Sequence, residues 1–96
     1  MIAAVIGIDG FGNLQLDATQ DQLDAELGDV VLIEVDSGLA LPASYTRAYA
    51  DVGQGELLLY EDSAQRLALA VNRGSASDRL GVQAGGRVRI SAVRHR

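Results

Sequence analysis

Ninety-six residues supply one domain with a modest core. Of these, 48% are apolar, but one Phe and three Tyr are the only aromatics, so the core must be built from Val, Leu, Ile and Ala. A net charge of −5 argues against nonspecific nucleic-acid binding, and the absence of Cys with a single His excludes disulfides, thiol chemistry and a clustered metal site.

Residues 2–8, "IAAVIGI", are apolar and β-rich and read as a first strand. "GFGN" is turn material, and Asn13 to Leu16 begin a second strand. In "TQDQLDAELGD" the period changes. Leu23 and Leu27 stand four apart, Thr19 can cap and Gly28 can terminate, which predicts a short helix. Residues 29–36, "DVVLIEVD", carry four β-branched residues and form the strongest strand signal. "DSGLALP" reads as a tight turn and a short return strand, and residues 44–50 as a further strand.

After the glycine loop "DVGQGE", "ELLLYED" and "QRLALAVN" read as two strands around an "EDSA" connection. Glycine flanks and short length favour strand over helix there. "GSASDRLG" predicts one helical turn, capped by Ser75 or Ser77, with Leu80 inward and Gly81 at its end. "VQAGGRVRISAV" closes with a turn and a last strand. Many short strands with one or two small helices predict a mainly β fold, a single small barrel over residues 1–96. Val31, Ile33, Leu67 and Leu69 are expected to face its interior.

Charge is unevenly spread. Residues 9–36 hold most of the acids and no Lys or Arg, while Arg87, Arg89, Arg94 and Arg96 crowd the C-terminal end. That end reads as a solvated strand end, and no nucleic-acid partner is expected. No apolar run approaches the roughly 20 residues that cross a bilayer, so no membrane partner is expected either. The first residues lack the basic and apolar pattern of a leader, and a cytoplasmic location is the expectation.

The chain offers poor means for catalysis. A serine triad needs a histidine base, and His95 is the sole candidate, beside the terminus. No glycine loop leads into a helix with a following Lys, and there is no Lys at all. Binding is better supplied. Asp9 can accept from an ammonium or hydroxyl. Asn13 carries a donor and an acceptor, as the edge of a purine requires, and Phe11 can pack behind either. The same residues are turn formers, and from the residues alone "DGFGN" reads first as a structural turn. Ser63 and Asn72 mark the two ends of an apolar strand. Ser63 can give a hydroxyl to a carboxylate, or to its own turn. Asn72 can cap the turn that follows it.

Four stretches in order resemble one family. They are "IDGFGN", "AYADVGQGELLLY", "DSAQRLALAVNRGSA" and "LGVQAGGRVRI", running from Ile6 to Ile90. Together they resemble the C-terminal domain of the S-adenosyl-L-methionine (SAM) hydroxide adenosyltransferases, relatives of the SAM-dependent fluorinase and chlorinase. The resemblance implies a β-barrel that shares a SAM site with the N-terminal domain of a neighbouring subunit in a trimer. It assigns Asn13 to the adenine edge, Asp9 to the methionine amino group and Ser63 to the methionine carboxylate. It places the backbone from Val71 through Asn72 to Arg73 against the adenine, with Tyr49 stacking on it. Three departures stand out: Leu16 and Asp17 replace a usual Thr-Asn, Ala64 and Gln65 replace a larger residue and Gly, and Ala68 stands where a Glu is common.

The family's Asp, Arg and His for activating water belong to its N-terminal domain, so no activity is expected of this chain alone, and no cofactor or metal. With a catalytic domain it would hydrolyse SAM to adenosine and methionine. The leading expectation is a ligand-recognition domain for adenosine or SAM. Its rivals are an oligomerisation barrel with no ligand, and the C-terminal part of a hydrolase whose catalytic domain lies on another chain.

Overall fold

In a computed structural model, residues 1–93 are described. Seven strands close into a barrel: β1 (Ile2–Ile8), β2 (Leu14–Leu16), β3 (Val30–Val35), β4 (Ala40–Tyr45), β5 (Leu57–Glu61), β6 (Leu67–Val71) and β7 (Arg87–Ala92). Their order around the wall is β1-β2-β6-β5-β4-β3-β7, and β7 pairs with β1. Every pairing is antiparallel except that of β4 with β5. Closure leaves no free sheet edge.

Alternation fixes which side chains fill the interior. Leu14 and Leu16, Val31 and Ile33, Leu57 and Leu59, Leu67 and Leu69, and Val88 and Ile90 all point into one core. The four residues expected inside are there, each with 0% exposure. The core is aliphatic apart from Tyr45.

One short helix, α1 (Ala76–Leu80), follows β6. Ser75 caps it, its side chain accepting from the Asp78 N–H, and Gly81 ends it in the left-handed conformation at φ 67. Leu80 is buried against the barrel, as the sequence predicts.

Two predicted elements differ. The helix expected over 19–28 is only a 3-10 turn, Gln20–Gln22. So short a segment is marginal as an isolated helix. Its acids Asp21, Asp24 and Glu26 repel one another, the segment has no Lys or Arg of its own, and Leu23 is its only half-buried leucine. The strand expected over 44–50 ends at Tyr45 and belongs to β4. Ser44 and Tyr45 pair with Leu58 and Leu59, and the Thr46 N–H still reaches the Leu59 carbonyl. Beyond it the chain leaves the sheet. Thr46 Oγ1 donates to Asp51 at 2.6 Å, closing a loop that contains the 3-10 turn Tyr49–Asp51.

At the C-terminal end Arg87 and Arg89 reach across to Asp36 and Glu34 on the β3 side, each at 3.9 Å. Both pairs are solvated and add little stability. Arg94, His95 and Arg96 lie outside the described residues.

Candidate functional site

The main concavity is on the outside of the barrel wall, not in its mouth. Val5 and Gly7 of β1 pair with Leu16 and Gln15, so Ile6 is an extra residue, a β-bulge. Gln15 pairs with Ala68, and Ala68 with Tyr60. Ile6, Gln15, Ala68 and Tyr60 therefore make a row across the outer faces of β1, β2, β6 and β5. Small Ala68 lowers the middle of the row. The segment from Arg47 to Tyr49 and the β5–β6 hairpin raise its sides. The result is a depression of about 1000 Å³.

The β1–β2 loop forms one wall, and its wording has a physical cause. Asp9 Oδ1 accepts from the N–H groups of Phe11 at 2.9 Å and Asn13 at 3.0 Å, while the Gly12 N–H donates to the Asp9 carbonyl. Gly12 sits at φ 82, against the Ser75 cap of α1. Its carbonyl accepts from the Ser77 N–H at 2.9 Å, docking the loop on the helix. A side chain at position 12 would collide with Ser75.

From this turn a polar network reaches across the depression. Asn13 Nδ2 donates to Asp9 Oδ2 at 2.9 Å and to the Tyr49 hydroxyl at 2.7 Å. Both amide hydrogens are thereby used, and Oδ1 is the one polar atom of the side chain outside this network. Asn13 is the only buried polar residue among the described ones. Tyr49 continues to Tyr60, their hydroxyls 3.5 Å apart and their rings tilted at 5.6 Å between centroids. Burial, then the Tyr49 hydroxyl and the charges of Asp9 and Asp62, push the Tyr60 phenol far above its usual 10.0, so it stays protonated at neutral pH. Desolvation pushes the Asp9 carboxyl up, but the hydrogen bonds from Asn13, Phe11 and Gly12 outweigh it and hold the acid below its usual 3.8.

Asn72 fastens the opposite wall. Its side chain does not cap the turn that follows it. Instead Nδ2 donates back to the Val52 carbonyl at 3.0 Å, and its carbonyl accepts from the Gly55 N–H at 2.7 Å. The loop bearing Tyr49 is thus tied to the end of β6. Val71 is buried at that end, and Arg73 follows in the left-handed region at φ 58, a conformation that favours Gly or Asn.

All eight residues singled out in the sequence, Asp9, Phe11, Asn13, Tyr49, Ser63, Val71, Asn72 and Arg73, line this one depression. Phe11 does not pack behind Asp9 or Asn13. Its N–H is held by Asp9, which turns the ring out to the rim at 81% exposure. The turn reading of "GIDGFGN" is seen directly, and the same turn lines the depression: Asp9 builds it, and it carries Asn13.

A model of the SAM hydroxide adenosyltransferase C-terminal domain family matches residues 3–89. The chain belongs to this family. It is 40% identical over 90 residues to an (R)-S-adenosyl-L-methionine hydrolase of Salinispora tropica, covering 94% of this chain and 32% of that protein. It is 37% identical to the Salinispora arenicola protein of the same name, with the same coverage. Among solved structures it is similar to an uncharacterized conserved protein from Thermotoga maritima, with TM-score 0.88 and 37% identity over 93% of this chain and 35% of that one. A conserved hypothetical protein from Thermus thermophilus follows, with TM-score 0.68, 32% identity and coverage of 93% and 34%. The chain thus spans about a third of the length of the relatives it matches.

Sequence reasoning missed other members of this SAM hydroxide adenosyltransferase C-terminal domain's depression. Gln15 and Tyr60 were findable, because Leu14 and Leu16, and Leu57 and Leu59, face inward and leave their neighbours outward. Arg47 carries no such signal, since the loop that places it was read as strand. Among the described residues no helix is long and apolar enough to cross a membrane. Among the described residues no cluster of His, Cys, Asp and Glu can hold a metal.

Proposed function

We propose that this domain is the ligand-recognition half of a SAM-hydrolysing site, holding the adenosine part of SAM in the outer-wall depression. The observation that carries the reading is the Asp9–Asn13–Tyr49 network. It presents the accessible amide oxygen of an otherwise buried Asn13 beside two tyrosine rings, where a purine amino group and a purine face find partners. The printed names of the two Salinispora relatives support the choice of SAM. Of the roughly four acceptor positions on the Asp9 carboxylate, three are taken by its own loop, which leaves one for the methionine ammonium. Ser63 lines the far end and takes the methionine carboxylate.

The water-activating groups come from the remaining two thirds of the hydrolase, on a second domain or chain. That part also covers the apolar rim, where Ile6 is 48% and Phe11 81% exposed. With it the assembly releases adenosine and methionine. Without it the ligand stays half exposed, whereas a good pocket buries about 70–90% of its ligand, so affinity falls in the micromolar to millimolar range.

Titration of the chain with SAM, adenosine and methionine, followed by NMR, tests this. Shifts at Asp9, Asn13 and Tyr49 with adenosine and SAM are expected. Silence of these residues at millimolar adenosine sinks the reading. A trimer indifferent to adenosine in light scattering would favour the oligomerisation barrel instead.

A further inference from the structure

The wall opposite the depression has a pattern of its own. The depression spans β1, β2, β6 and β5, and the order around the barrel puts β7 and β3 on the far side, between β1 and β4. Register fixes what this wall shows to solvent. Ile2 pairs with Arg89, Arg89 with Glu34 and Glu34 with Ala40, which makes one row across β1, β7, β3 and β4. The next row, toward the β3–β4 turn, holds Ala4, Arg87 and Asp36. β7 thus carries a basic stripe and β3 an acidic one beside it. Among the described residues no other charge stands at an outward position of these four strands.

The charges are loosely engaged within the chain. Arg87 meets Asp36 and Arg89 meets Glu34 at 3.9 Å, and the four side chains are 47–76% exposed. Two adjacent stripes of opposite sign are self-complementary. A two-fold axis laid along the strands, between β7 and β3, turns the basic stripe of one copy over the acidic stripe of another and keeps each row level. Arg89 then lies between its own Glu34 and that of the second copy, and Arg87 between two Asp36 side chains. Charges linked in this way hold better than isolated surface pairs. Size matches as well, because the same operation sets Ile2, 57% exposed, over the small Ala40.

We propose that the outer face of β7 and β3 binds a second copy of this chain, forming a symmetric dimer that leaves both depressions open. The contact needs no ligand and stands apart from the proposed function. Four strands about 4.8 Å apart, with five or six residues at about 3.3 Å each, give a footprint of roughly 350 Å² per copy. A standard interface buries about 800 Å² per partner, so the dimer is a weak one that forms at high chain concentration.

Sedimentation of the full chain, up to millimolar concentration in about 0.15 M salt, tests this. The Debye length there is about 8 Å, which screens the net −5 of each copy but not groups in contact. The mass is expected to approach two chains, and to return to one in about 1 M salt, where the Debye length is about 3 Å. Two charge-reversed variants, Glu34→Arg/Asp36→Arg and Arg87→Glu/Arg89→Glu, set like charges face to face. Self-association of each should weaken at least about ten-fold. All four positions are exposed, and the melting temperature confirms folding. The first variant moves the net charge from −5 to about −1, so its loss cannot come from overall repulsion. An equimolar mixture of the two restores opposite stripes and should recover the two-chain mass. A wild type that stays at one chain, or assembles as three, overturns the inference. So does a variant that associates like wild type, a mixture that fails to recover the mass, or a dimer dissolved by adenosine, since the contact would then lie elsewhere.

Discussion

Asn13 and Tyr49 are 36 residues apart in sequence, yet the amide nitrogen of one donates to the hydroxyl of the other at 2.7 Å. This bond joins the β1–β2 turn to the loop after β4, across the depression. Tyr49→Phe removes the acceptor and leaves an amide hydrogen of buried Asn13 unpaired. The expected loss is about 1–3 kcal/mol of stability, the cost of a buried unsatisfied donor. Chemical denaturation measures it. A variant as stable as wild type would show that the bond contributes nothing to holding the loop.

Asp9 makes stability depend on pH. Its folded-state pKa lies below the usual 3.8 because its loop hydrogen bonds outweigh desolvation. The unfolded chain therefore binds the proton more readily. The contribution is fully present above the unfolded value and is lost as pH falls through the folded one. Asp9→Asn should lower the melting temperature at neutral pH, and the two curves should converge in strong acid. Parallel curves down to the lowest pH would show that the carboxylate charge is not what holds the turn.

Much of this was legible in the sequence for a simple reason: strand faces and glycine turns are local signals. The alternation of Leu67 and Leu69 with Ala68 marks an inside and an outside without any structure. Gly12 announces a turn. The missing part is non-local. That Asn72 would reach back to Val52 depends on where the 52–55 loop lies, which no window around residue 72 contains. The failed helix at 19–28 shows the same limit, since period alone does not supply the surface against which a helix would bury Leu23 and Leu27.

Gly12 is held by two constraints at once. Its φ of 82 disfavours any side chain, and an added Cβ would run into Ser75, with the Ser75 Cα only 3.1 Å away. Neither backbone can yield without undoing the cap of α1. Gly12→Ala should cost about 2 kcal/mol or more. It should also move the NMR signals of Ser75 and Asp78, whose hydrogen bond forms the cap. A melting temperature unchanged by the substitution would contradict the close approach.

Gln65 occupies the left-handed position of the β5–β6 hairpin at φ 64. Glycine is preferred there, because a side chain in that conformation costs roughly 1–2 kcal/mol. Part of the gain is offset by the freer unfolded chain that glycine brings. Gln65→Gly should therefore stabilise the domain by about 0.5–1 kcal/mol. A lower melting temperature would mean that the Gln65 side chain contributes more than the backbone strain it carries.

Ala68 and Leu69 are neighbours on β6 with opposite tasks. Leu69 points into the barrel with 0% exposure, and Ala68 points outward to line the depression between Gln15 and Tyr60. Leu69→Ala opens a cavity in the core and should cost about 2–5 kcal/mol. Affinity per folded molecule should be unchanged, because the lining of the depression is intact. Ala68→Leu should act mainly on binding. Ala68 lies outside the barrel interior but is only 1% exposed, so its added carbons must displace the side chains beside it on the outer face, at a cost of about 1–3 kcal/mol. Those same carbons occupy the space a ligand needs, so adenosine affinity should fall at least about ten-fold, the equivalent of 1.4 kcal/mol. Denaturation and NMR titration of the two variants separate the effects. Should Ala68→Leu melt like Leu69→Ala and bind like wild type, the outer face of β6 would be core and not site.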